Sequence, residues 1–352
     1  MANIFVDPVI VMAPSNDASR EVIEAWIADL EIWLKEALSS PFAWLHSVQA
    51  TYLLESTGLF PNFEVLRRLQ RLHGLNVNIT QIARNINDFF RNEAFDLSDS
   101  LDKLEYLIEV EEGSIAIKPE QFATRWLDSM QATMHELFAR ACAGKCADRE
   151  FVRALHIATL EIRDIAKEIE VSATLLDSVP EIPRNADNSI AQTFPLLYTP
   201  DDLLPLIDVI ELWDKGVSGI TYAIEQQYKK DWQSTKAAPM KFHIGHSFLE
   251  SVETANLGTN ENTLRRIIKA AAAVIADQAK HIKSYKLHEL RESAAGNSPQ
   301  RTRVRDNAKA WRLMIGQHGA GWRMHYWQIP TSEGSTVEFS NIVKESDDTI
   351  YE

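Results

Sequence analysis

Ten Lys and Arg side chains crowd residues 280–325, and only Glu289, Glu292 and Asp306 oppose them, so the window carries +7. Three residues in this region have types that do chemistry on phosphate. Trp311, Leu313 and Ile315 alternate with Arg312 and Met314; Trp322, Met324 and Tyr326 alternate with Arg323, His325 and Trp327. Successive side chains of a strand point to opposite faces, so Arg323 and His325 share a face. With Arg312 they form a candidate phosphate-handling group. A guanidinium fork grips phosphate bidentately, and an imidazole moves protons near neutral pH. The bland reading of the same alternation is a solvated sheet face. Arg301, Arg303, Arg305 and Lys309, with Lys286 and Arg291, are the predicted nucleic-acid contacts. Such a loop grips phosphates without reading bases; an ordinary surface loop is its alternative. Parity puts Trp311 and Trp322 with Leu313 and Met324, which predicts core packing. Trp327 stays open between core and base stacking.

Other constellations point to less. His243 and His246 stand three apart on a strand pattern, hence on opposite faces, which argues against zinc. No metal and no cofactor is expected. Cys142 and Cys146 lie four apart near a helix end and read as two buried thiols. Arg67, Arg68 and Arg71, followed by Ile79–Ile86, loosely resemble a helix-turn-helix, with plain helical packing as the simpler account. Walker, dinucleotide, nucleophile-elbow and metalloprotease motifs are absent.

The elements that must position these residues follow from charge and period. The 352-residue chain carries −14 overall, yet residues 241–352 carry +2 and residues 1–240 carry −16. That split implies an acidic body and a basic working surface for a polyanion. Two cysteines fit a reducing cytoplasm. The start lacks the basic region of a signal peptide, and no apolar run reaches membrane length. A cytoplasmic protein without membrane contact is expected. Residues 1–176 read as an acidic all-α domain, with helices near 20–39, 42–56, 62–73, 79–92, 98–111, 119–143 and 149–176. The last of these rests on Leu155, Ile162, Ile165 and Ile169. Pro180, Pro183, Pro195 and Pro200 predict an extended connection over 177–199. One long helix over 200–236 follows, with a Leu203–Ile224 seam that could bind a partner. Residues 239–352 read as a small basic α+β domain. Its parts are a strand at Lys241, a helix over 260–278, a polar loop with Gly296, Asn297 and Pro299, and three antiparallel strands. Gly316, Gly319 and Gly321 punctuate the first hairpin.

This order resembles the RelE/ParE superfamily of bacterial toxins. The similarity lies in Lys241-Phe-His-Ile-Gly-His-Ser-Phe-Leu, in Tyr285-Lys-Leu-His-Glu-Leu-Arg, in Trp322-Arg-Met-His-Tyr and in the closing Asp347-Asp-Thr-Ile-Tyr351. It covers about residues 240–352. The resemblance implies either metal-independent endoribonuclease activity on messenger RNA at the ribosome or inhibition of DNA gyrase. In the nuclease branch a 2′-hydroxyl attacks the next phosphate in line. Arg312 then matches a basic position of the second strand, Arg323 the arginine of the third, and Tyr351 the C-terminal tyrosine; His325 would replace a missing acid or base. Met314 and Glu345 depart from basic positions of the pattern. The resemblance thus implies a toxin-type effector of a toxin–antitoxin or phage-defence system. It would bind RNA on the ribosome and, in the nuclease branch, cut it, with an antitoxin or another protein docking on the helical domain. The alternatives are a non-catalytic binding subunit and the gyrase inhibitor.

Overall fold

The computed structural model describes residues 2–102, 109–111, 113–160, 166–176, 182–183, 185, 187–232, 238–293, 298–315 and 321–352. Ile162, Ile165, Pro180, Gly296, Asn297, Gly316 and Gly319 lie outside the described residues. The chain divides into two compact units, Met1–Leu206 and Ile207–Glu352. Each unit holds its own sheet, so the molecule is mixed α/β.

The first unit is helix-rich but not all-α. Its strands are β1 (Asn3–Val6), β2 (Ala43–His46), β3 (Ala94–Asp96), β4 (Ala116–Lys118), β5 (Leu155–Ala158), β6 (Glu168–Thr174) and β7 (Ser189–Leu197). They form one sheet in the order β3-β2-β1-β5-β7-β6-β4. Its first five members run parallel, and β6 and β4 add an antiparallel edge. The parallel strands are three or four residues long apart from β7. Ile4, Phe5, Trp44, Leu45, Leu155 and Ile157 in them are buried. A short run buried from both sides has no two-residue period, so it reads like a helix segment. This is why the expected helices at 42–56 and 149–176 contain strands. The Pro-rich stretch holds β7, whose Pro195 stands opposite Glu168 of β6.

Helices form where local signals are strong. Arg20–Ser39 is capped by Ser19, whose Oγ accepts from the Val22 amide at 3.4 Å. It buries Ile23, Trp26, Ile27, Leu30, Trp33 and Leu34, the face that the spacing predicts. Phe63–His73 buries Val65, Leu66 and Leu69, and Ile79–Asp88 buries Ile79, Ile82 and Ile86. Each of these two helices packs by one apolar face.

In the second unit the expected long helix is broken. A 3-10 turn, Pro200–Leu206, closes the first unit; Val209–Asp214 and Gly216–Trp232 belong to the second. Pro205 interrupts hydrogen bonding, and Gly216 adopts φ +66°, a left-handed turn that side chains resist. The Leu203–Ile224 seam is therefore not one surface: Val217 is exposed whereas Ile220 and Ile224 are buried. The sheet holds β8 (Lys241–Ile244), β9 (His288–Glu289), β10 (Lys309–Met314), β11 (Trp322–Thr331) and β12 (Gly334–Lys344), in the order β8-β12-β11-β10-β9. Strand β8 lies parallel to β12, and the other pairs are antiparallel. One face packs through Tyr326, Phe339, Phe242 and Phe248. The opposite face carries the candidate residues. A helix, Glu261–Ile275, starts at Asn260, whose Oδ1 accepts from the Thr263 amide at 2.9 Å.

Candidate phosphate-handling site

Strand register brings the group together. Arg312 stands opposite His325, and Arg323 lies two residues earlier on β11, on the same face. Between His325 and Tyr326 the β12 partner jumps from Asn341 to Phe339, so Ser340 is an extra residue. Such a bulge kinks the strand and re-aims its side chains. Here it turns both Ser340 and Asn341 into fasteners for the end of the chain.

After β12 the C-terminal residues cross this face. Thr349 O accepts from His325 Nδ1 at 2.8 Å and from Asn341 Nδ2 at 2.9 Å. Tyr351 O accepts from Trp327 Nε1 at 2.7 Å and from Ser340 Oγ at 2.8 Å. Ile350 packs on a cluster of Leu290, Ala308, Ala310 and Trp327. The Asp347 carboxylate accepts from the Thr349 amide at 2.8 Å, which tightens the turn. Each neutral bond contributes roughly 1 kcal/mol net, enough together to hold an otherwise unstructured end.

Asp348 then sits between the arginines. Its Oδ1 accepts from Arg312 Nη1 at 2.5 Å and from Arg323 Nη1 at 3.2 Å. Arg323 also approaches Glu345 at 3.4 Å, and Arg301 donates to Asp348 O at 3.0 Å. Two guanidinium groups thus converge on one anionic oxygen, with a third a residue's width away. Arg312 and Arg323 remain partly exposed.

His325 is fully buried. Burial pulls its pKa down to about 4, and the nearby arginines add to this, against the Thr349 bond and Asp348. The ring is therefore neutral at pH 7. A carbonyl can only accept, so the proton sits on Nδ1 and Nε2 carries the lone pair. Among the described residues Nε2 has no hydrogen-bond partner. This is the tautomer a general base requires.

Tyr351 joins this face through its main chain. The residue itself lines a groove of about 550 Å³ with Ser247, Glu250, Ser251, Thr254, Trp322 and Lys344. Arg312, Arg323 and His325 are not among the residues of that groove.

The expected contact loop splits. Arg303 is buried, and its guanidinium holds Asp306 at 2.7 Å and Glu338 at 2.9 Å while lying 5.0 Å over the Trp327 ring. Burial works against its charge, and the Glu338 and Asp306 bonds outweigh that and push its pKa up. Burial likewise opposes the Glu338 carboxylate, but Arg303 and then His243 hold it below the usual range. Arg303 is therefore withdrawn from any contact surface, because two carboxylates claim it. Lys286, Arg291, Arg305 and Lys309 are exposed. Lys309 Nζ donates to Thr302 at 2.9 Å, and Arg291 lies 3.6 Å from Glu289. Of the three sheet tryptophans Trp327, left open by parity, is fully buried, whereas Trp311 and Trp322, expected in the core, are half-buried. The tail covers Trp327, and parity along a strand does not foresee a cover from another segment.

Elsewhere, His243 pairs with Glu338 at 3.0 Å. Among the described residues no group of three or more His, Cys, Asp or Glu side chains could hold a metal ion. Nor is any described helix long and apolar enough to cross a membrane. Cys142 Sγ lies 3.3 Å from Val171 O, and its thiol is pushed up by Cys146 and by burial; a bond from Cys142 brings Cys146 down to about 6.

The residues that organise the site and escaped the sequence reading are Ser340, Asn341, Asp348 and Thr349. The acidic run Glu345, Asp347, Asp348 and Glu352, close in sequence to a basic sheet, was the available signal. No family model, curated protein or solved structure matches this chain.

Proposed function

We propose that the second unit is a RelE/ParE-like domain that acts on RNA, and that the protein is a toxin-type effector whose targets are messages on the ribosome. The observation that carries this reading is the convergence of Arg312 and Arg323 on one anionic oxygen, 2.5 and 3.2 Å away. An arginine pair of this kind grips a phosphodiester and stabilises the charge that builds on it during in-line attack. His325 Nε2, held as the lone-pair tautomer, would take the proton of the attacking 2′-hydroxyl once the buried ring is uncovered. The new 2′-O–P bond then forms as the bond to the 5′-oxygen breaks, and that oxygen leaves with a proton from solvent. The products are a 2′,3′-cyclic phosphate and a 5′-hydroxyl. The strand order, with β8 beside β12 and a sheet closed by β11, β10 and β9, supports the same family assignment.

A non-catalytic binding subunit is the second reading. Met314 stands opposite Arg323 where the family pattern has a basic residue, and Asp348 already occupies the pair. Expression of the full chain in bacteria, with an Arg312→Ala/Arg323→Ala variant beside it, separates the two. New 5′-hydroxyl ends in messages with the wild-type chain alone support the nuclease. Intact messages with ribosome association that the variant loses support the binder. Equal behaviour of both chains would overturn the site.

A further inference from the structure

Asp348 occupies the place that the reading above gives to a phosphate. Its side chain is about half exposed, and among the described residues its carboxylate bonds run to Arg312 and Arg323. The main-chain anchors of the same segment are separate: Thr349 O is held by His325 and Asn341, and Tyr351 O by Trp327 and Ser340. Rotation of one side chain therefore releases both arginines from Asp348, with Arg323 still beside Glu345, while the tail stays fastened over the buried His325. Lifting the whole tail is unnecessary. It would break six hydrogen bonds and uncover Ile350 and Trp327.

We infer that Asp348 is a built-in competitor for phosphate, an internal anion that restrains the arginine pair and that an incoming phosphodiester must displace. The chemistry favours exchange. Asp348 presents one shared oxygen to the pair at unequal distances, whereas a phosphodiester, also a monoanion, can present its two non-bridging oxygens, one to each fork. The charge arithmetic agrees. Two arginines face Asp348 at bonding distance, with Glu345 at 3.4 Å from one of them, so the site is neutral enough to stay folded and closed when empty of substrate. Weak or scattered anions do not displace a carboxylate held at high effective concentration by its own chain, whereas a polyanion gains further contacts at Arg301. The inference rests on the proposed phosphate-handling role of the pair and adds its regulation.

The test uses the full chain as wild type, Asp348→Asn, Arg323→Ala and the double variant. The probes are a 2′-O-methyl oligoribonucleotide, which cannot be cut because it lacks the attacking hydroxyl, and inorganic pyrophosphate. Asp348→Asn keeps the shape of the side chain and removes its charge, and its melting temperature should stay close to that of the wild type. The expected result is about tenfold tighter binding of both probes by Asp348→Asn, the factor that about 1.4 kcal/mol provides. For the oligonucleotide a salt dependence steeper by about one counterion should accompany it. Adding Arg323→Ala should erase the gain. Unchanged or weaker binding by Asp348→Asn, while Arg323→Ala weakens the wild type, would overturn the competitor and leave the RNA reading standing. A gain for pyrophosphate without one for the oligonucleotide keeps the competitor and sinks the RNA reading. Failure of the wild type and of Asp348→Asn to bind either probe overturns the inference.

Discussion

The two units each set an arginine against an aspartate, and the two settings differ in what is left over. In the first unit Asp7 follows β1 directly and is fully buried. Its Oδ1 accepts from the Val9 amide at 3.2 Å and from Trp126 Nε1 at 2.9 Å; its Oδ2 accepts from Thr159 Oγ1 at 2.6 Å and from Arg125. Arg125 spends its other nitrogens on the carbonyls of Phe122 and Leu160. Both Asp7 oxygens and four of the five Arg125 N–H donors are engaged there, although β1 and β5 flank the switch in strand order where parallel sheets commonly bind ligands. In the second unit two arginines share one half-exposed carboxylate oxygen, and donors remain. Saturation marks a structural ion pair; surplus marks a site.

The sharpest way to break this comparison is Asp7→Ala. It strands Arg125 and leaves Trp126 and Thr159 without their acceptor, so the first unit should lose about 3–5 kcal/mol in urea unfolding. A loss below about 1 kcal/mol would make the cluster as dispensable as a surface pair.

A pH series sharpens the other side. His325 titrates near 4 when folded, below the ordinary 6.5. The unfolded chain therefore binds more protons between these values, and the stability from keeping this ring neutral is present above 6.5 and is lost as pH falls toward 4. The full effect is about 3 kcal/mol, at about 1.4 kcal/mol per pKa step. His325→Asn should flatten that part of the second unit's stability profile, read by hydrogen exchange of β11 amides. An unchanged profile would show that the ring is not a buried neutral base.

The smallest effect belongs to Glu338→Gln, which removes one of two carboxylates from buried Arg303. Asp306 remains, so a cost of about 1–3 kcal/mol is expected, with no change in oligonucleotide binding. Weakened binding in that variant would place Arg303 in the site and contradict its withdrawal.

Much of the candidate face was legible before any fold was known. Alternation over Trp311–Ile315 and Trp322–Trp327 places Arg312, Arg323 and His325, since a strand's period is a property of adjacent residues. The fate of Arg303 was not legible, because in sequence it is one more arginine in a basic loop and its partner Glu338 lies 35 residues away. The central sheet of the first unit was hidden for a different reason. Asn3–Val6 and Ala43–His46 are too short and too uniformly buried to show a period. Strand β6 did carry one, with Ile169, Val171 and Ala173 buried between Glu168, Glu170 and Ser172.

The sequence by itself determined the capped helices Arg20–Ser39 and Glu261–Ile275, the alternating strands of the basic sheet, and the division of charge between the two parts of the chain. These follow from neighbours within a few residues of one another, where backbone geometry and side-chain spacing are enough. Tertiary structure alone decided which arginine is neutralised, where the Ser340 bulge falls, and that the acidic end returns across β10 and β11 to place Asp348 between Arg312 and Arg323. Those contacts join residues 25 and 36 positions apart. An ion pair acts through distance in space, and that distance exists only once the chain has folded.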